Sequence, residues 1–235
     1  MNICTIATEG EWVDVHAARW LRKVRAACPG AVTHLLLSGG GEDLLHPHHP
    51  VVSAFDKVHV WPVAVGVRPW FNRVRLEACS VFGVERMVYL DADADVLADI
   101  GEAVGAVEKR LAFCRSPIIN PEWQKVHQAE GWGVAEWMAD NCLLVMRGDF
   151  LEEYDKAVAV VAKHGVHPRT AGTIAFNVMV KQNPALWEEL PRELSCIWWE
   201  QTKWTRARVV QYCNDKGKAK RERLEALWRA RQEGA

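Results

Sequence analysis

Apolar residues recur along the chain in two alternating periods, and the alternation predicts an α/β fold. Asn2 to Thr8 reads as a short buried strand. Val13, Ala17, Trp20, Leu21 and Val24 then follow helical spacing through Ala27, and Cys28-Pro29-Gly30 ends that helix. Val32 to Leu37 forms a second strand, closed by Ser38-Gly39-Gly40-Gly41, so the first forty residues predict a βαβ unit. Val58 to Trp61 is a third strand and Trp70 to Phe82 a helix. Arg86 to Leu90 is a fourth strand that runs straight into Asp91-Ala92-Asp93-Ala94-Asp95. The second half is less regular, with strands expected at Leu111 to Cys114, Asn141 to Met146 and Arg208 to Tyr212. Helices are expected at Phe150 to Lys163, Ile174 to Lys181 and Lys218 to Gln232. The pattern predicts a doubly wound, mostly parallel sheet, in which ligands bind outside the carboxyl ends of the strands. The tips after Ala7, Leu37 and Leu90 therefore converge on one crevice.

Length and composition are consistent with that picture. At 235 residues, 49% hydrophobic and 25% charged, the chain can bury a full core and is neither disordered nor fibrous. No linker or repeat divides it, which predicts one domain over 1–235. Within it, 1–100, 101–215 and a basic C-terminal helix over 216–235 are expected as successive parts. Seven scattered cysteines without a CxxC pair suit reduced thiols and a cytoplasmic setting. No basic leader precedes an apolar core, and no apolar run reaches the roughly 18 residues of a membrane span. Twelve tryptophans are more indole N–H donors than one core readily satisfies, so some belong at a surface or pocket.

The formal charge is only −1, yet residues 203–235 hold ten basic side chains against four acidic ones. That tail reads either as a solvated helix with pairs such as Arg221 and Glu225, or as a basic rim that attracts a polyanion such as DNA. Trp198, Trp199 and Trp204, just upstream, could supply stacking surfaces.

The sharpest chemical signal is Met87-Val88-Tyr89-Leu90-Asp91-Ala92-Asp93, a buried strand that ends in two acids separated by one small residue. Carboxylates so placed can converge on a hard divalent cation that also bridges phosphates, whereas a solvated acidic turn is the plain alternative. Two other signals are set aside. His46-Pro47-His48-His49 is an extended polar loop without a further ligand at metal spacing, and the Ser38 to Gly41 run matches no phosphate-loop pattern.

Arg75-Leu76, followed after fourteen residues by Tyr89-Leu90-Asp91-Ala92-Asp93 and then by Val96-Leu97 and Asp99-Ile100, resembles the core of GT-A glycosyltransferases of the glycogenin and galactinol synthase type. The Asp140 to Met146 strand is similar to a later segment of that family, and Arg208 to Tyr212 to the segment that usually carries a metal-binding His. The resemblance implies a single GT-A-type α/β domain that moves a hexose, with retention, from a UDP-sugar or related nucleotide-diphosphate sugar to an acceptor hydroxyl. It implies Mn²⁺ or Mg²⁺ on Asp91, Asp93 and Gln211, with Gln211 standing where the family has His. It also implies donor contacts from Thr8, Trp12, Arg75, Asp91, Lys216 and Lys218. Where the family has an Asp-Gln pair this chain has Gly172-Thr173, which leaves Asp140 and Asn141 as the candidate catalytic residues. Nucleotidyl transfer and a non-catalytic sugar-nucleotide binder remain as alternatives.

Overall fold

The computed structural model of the chain describes residues 1–7, 12–38, 49–61, 68–192, 194–197, 207–212, 226, 229 and 230. Its centre is a seven-stranded sheet in the order β3-β2-β1-β4-β7-β6-β8. Here β1 is Asn2–Ala7, β2 Val32–Ser38, β3 Lys57–Trp61, β4 Arg86–Leu90, β6 Leu111–Ser116, β7 Met138–Arg147 and β8 Trp187–Glu189. All neighbours pair in parallel except β7, which runs antiparallel to both β4 and β6. A second sheet joins β5 (Ala94–Val96), β10 (Val209–Gln211) and β9 (Ser195–Ile197), with β10 antiparallel to β5 and parallel to β9.

Both faces of the inner strands β1, β4, β6 and β7 are largely buried, which explains why they read as apolar runs, whereas the edge strand β3 leaves Val58 and Val60 exposed. Cys4 and Ile6 of β1, Met87 and Tyr89 of β4, Phe113 of β6 and Leu144 of β7 face one way. They pack under α2 (Arg68–Leu76), α3 (Ala78–Phe82), α5 (Pro121–Ala129), α6 (Leu151–Lys163) and α7 (Pro168–Gln182). Ile3, Ala7, Val88, Leu90, Leu143 and Val145 face the other way, under α1 (Ala18–Ala27) and α4 (Gly101–Gly105). Each fully buried large apolar side chain, such as Leu35 or Phe176, contributes roughly 1.5–3 kcal/mol.

Four local differences separate the structure from the sequence reading. The helix expected over Trp70 to Phe82 breaks at Glu77 into α2 and α3. Gly83 closes α3 with φ +62, a conformation glycine adopts at no steric cost. The helix expected from Ile174 begins earlier, because His167 accepts from the Arg169 amide and Pro168 occupies the first turn. The same device, Asn120 followed by Pro121, starts the unforeseen α5, where Asn120 Oδ1 accepts from Glu122 N at 2.8 Å. The short strands β5, β8 and β9 and the short helix α4 were also unforeseen. The helix expected over Lys218 to Gln232 lies almost entirely outside the described residues. No helix among the described residues is long and apolar enough to cross a membrane.

His34 on β2 is fully buried, with Nε2 3.1 Å from Asn2 Oδ1 and its ring against the Phe82 edge. Burial, helped by nearby Lys57, pushes its pKa from 6.5 down to about 4. The folded chain thus keeps this ring neutral. Its contribution is complete above pH 6.5 and is lost as the pH falls towards 4, about 2 kcal/mol of it by pH 4.5. Urea unfolding at pH 7 and pH 4.5 checks this, because the difference between the two should shrink by that amount in His34→Gln.

Candidate functional site

The site forms where β4 ends, at the carboxyl edge of the parallel strands. After Leu90 the chain turns sharply, with Ala94 N donating to Asp91 O at 3.0 Å, and enters β5. Small Ala92 and Ala94 are buried in that turn, and its acids take different tasks. Asp95 is buried against α1, where Arg19 donates to it from both Nε (3.0 Å) and Nη2 (2.7 Å), so it ties the turn to the first helix. Asp91 and Asp93 stay on the site side.

Asp91 is the centre of a polar network. Its Oδ1 accepts from Arg75 Nη2 at 2.7 Å and from the Tyr89 hydroxyl at 2.6 Å, while Oδ2 accepts from Gln211 Nε2 at 3.0 Å. Gln211 arrives because β10 pairs antiparallel to β5, placing Gln211 opposite Ala94. Next to it, Tyr212 N donates to Asp93 O at 3.1 Å. The Arg75 guanidinium lies over the Tyr89 ring, 4.7 Å from its centroid. Burial works against the Arg75 charge, but the Asp91 carboxylate, with Asp93 behind it, holds its pKa above the ordinary value. Burial beside Asp91 likewise drives the Tyr89 phenol well up, so it acts as a neutral donor.

Asp140 and Asn141 reach this place through an irregularity in β7. The β6 partner of Leu144 is Phe113, whereas the next β6 residue, Cys114, pairs with Asp140, so residues 141–143 bulge away from β6. Asp140 Oδ1 accepts from Cys142 N at 3.0 Å. The Cys142 thiol is driven well up by burial and then by the carboxylates of Asp140, Asp91 and Asp93. Asn141 turns its amide inward, donating from Nδ2 to Asn72 Oδ1 at 3.1 Å, and its carbonyl accepts from Arg75 Nη1 at 3.3 Å.

Of the residues singled out from sequence, Arg75, Asp91, Asp93, Asp140, Asn141 and Gln211 come together. Thr8, Lys216 and Lys218 lie outside the described residues, as do Trp198, Trp199, Trp204 and most of the basic tail. The backbone of Trp12 opens a π-helical turn, Trp12–Ala17, leading into α1. Gly172 and Thr173 lie within α7, where the Thr173 carbonyl accepts from Asn177. Arg73 points away from the site to Glu77 and Asp155. His49 pairs with Asp14 at 3.1 Å. Two network members were missed in the sequence. Tyr89 lies two residues before Asp91 on one strand face, a spacing that could have disclosed it, whereas Asn72, three residues before Arg75 on one helix face, gains its meaning only from the distant Asn141.

No protein-family model and no curated sequence matches the chain. Solved structures do match. The galactosyltransferase LgtC, in complex with donor and acceptor sugar analogs, aligns with a TM-score of 0.67 at 13% identity, over 98% of this chain and 100% of that one. An active-site glutamine-to-glutamate mutant of LgtC aligns with a TM-score of 0.65 at 14% identity, over 91% and 88%. At such identity the likeness speaks for the backbone and not for the chemistry. The chain has the GT-A fold of LgtC, the fold that Arg75 and the Asp91–Asp93 pair led us to expect.

Proposed function

We propose that this protein is a glycosyltransferase that moves a hexose from a nucleotide-diphosphate sugar, with UDP as the nucleotide, to an acceptor hydroxyl with retention at the anomeric carbon. The observation that carries this reading is the Arg75–Asp91–Gln211 network at the carboxyl edge of a GT-A sheet. In such sheets ligands lie beyond the strand ends. A diphosphate there would meet the guanidinium of Arg75, whose five N–H donors in a planar fork suit phosphate oxygens.

The residues present fit a divalent cation. Asp91, Asp93 and Gln211 would hold it, all through oxygen, which suits Mg²⁺ or Mn²⁺. Asp91 Oδ2 takes one hydrogen bond and keeps lone-pair capacity. Among the described residues no three His, Cys, Asp or Glu side chains cluster as metal ligands, and the proposed set takes its third oxygen from the Gln211 amide. When bound, the cation supplies positive charge against the diphosphate as it leaves. The chain's own part is to orient that diphosphate through Arg75 and to hold the Asp91 carboxylate still through Tyr89. Asp140, next to the β7 bulge, is our candidate for the carboxylate that acts on the sugar or the incoming hydroxyl.

LgtC has been solved with an acceptor sugar analog, and we take a saccharide hydroxyl as the acceptor class here too. The DNA acceptor suggested by the basic tail gains no support from the fold. A thermal-shift screen of nucleotide sugars with and without Mg²⁺ or Mn²⁺ tests the reading. Stabilisation by UDP-sugars that grows with the cation supports it, and no response to any nucleotide sugar overturns it.

A further inference from the structure

The Arg75 guanidinium is buried, and its orientation is set by more than Asp91. Asn72, one turn earlier on α2 and itself buried, accepts on a single oxygen from Arg75 Nη1 at 3.1 Å and from Asn141 Nδ2 at 3.1 Å. It also hydrogen-bonds the Tyr154 phenol of α6. One amide thus links the helix that carries Arg75, the bulged strand that carries Asp140 and Asn141, and a helix of the layer above.

We infer that Asn72 is a positioning residue for the diphosphate site, fixing Arg75 and the Asn141 segment relative to each other through a neutral acceptor. This rests on the donor-site reading above. The neutrality of that acceptor is what suits it to the site. Arg75 already faces one carboxylate, Asp91, and its pKa also registers Asp93. A neutral oxygen orients the guanidinium without cancelling the charge left for an incoming anion. A carboxylate at the same place would hold the fork at least as firmly, because charge-assisted hydrogen bonds are the stronger ones, but would over-neutralise it. An alanine would leave the fork correctly charged and loosely aimed.

The two substitutions therefore separate positioning from packing. Asn72→Asp is nearly isosteric, and its melting temperature should stay within a few degrees of wild type. Calorimetric titration should nonetheless show Kd for UDP, and for inorganic pyrophosphate, raised about tenfold or more. The equal loss for both probes assigns the effect to the diphosphate and not the base. Asn72→Ala should raise both Kd values several-fold and lower kcat with a UDP-sugar more than it raises KM, since a misaimed Arg75 matters most when the leaving group gains charge. Asn72→Asp that folds normally and binds both probes within twofold of wild type overturns the inference while leaving the donor-site reading intact. Wild-type protein that binds neither probe overturns both.

Discussion

Arg75→Met is expected to lower the unfolding free energy by about 3 kcal/mol and to remove measurable affinity for nucleoside diphosphates. The side chains of Arg75 and Asp91 are only 8% and 13% exposed. Removing one member of a buried ion pair leaves the other charge desolvated, which typically costs 3–5 kcal/mol. The lower end applies because Tyr89 and Gln211 still donate to Asp91. The double variant Arg75→Met/Asp91→Asn should regain much of that stability, since a neutral amide needs no counter-charge, but should not regain nucleotide affinity. Urea unfolding of the three proteins measures the first part, and a loss below about 1 kcal/mol in the single variant would show that the pair is not desolvated.

Asp93→Asn should reduce turnover of a UDP-sugar at least about a hundredfold with little change in melting temperature. The backbone of Asp93 is held by Tyr212 N, and this hydrogen bond survives the substitution. The side chain keeps its size and loses its charge. A cation that stabilises the leaving diphosphate by several kcal/mol and loses one of two carboxylate ligands must lose rate accordingly, at tenfold for each 1.4 kcal/mol. Steady-state rates of UDP release, with melting curves alongside, provide the check. More than about a tenth of wild-type activity would remove Asp93 from the site.

How far the sequence disclosed this molecule depended on the range of the forces involved. Six of the seven strands of the central sheet were legible, the inner ones because burial on both faces writes an apolar run, as in Met87 to Leu90, whereas the short, half-exposed β8 writes none. The metal-ligand candidates Asp91 and Asp93 were legible because strand and turn place them by local geometry alone. The approach of Gln211 to Asp91 followed only from the resemblance, since pairing of β10 with β5 joins residues 120 positions apart. Asn72 was invisible for a different reason. A lone Asn in a helix signals nothing until the bulge in β7 brings Asn141 to it, and that bulge comes from pairing β7 with both β4 and β6. Asp95 was equally unreadable, because its partner Arg19 belongs to a helix far upstream.

The most direct measurement is product analysis after incubating the protein with UDP-galactose or UDP-glucose, Mg²⁺ or Mn²⁺ and a panel of saccharide acceptors. A donor site built on Arg75, Asp91 and Gln211 predicts free UDP together with a glycosylated acceptor, or slow release of free hexose when no acceptor is added, all lost in Arg75→Met. Release of pyrophosphate or of a sugar phosphate in place of UDP, or binding of the donor with no product under any of these conditions, would contradict it.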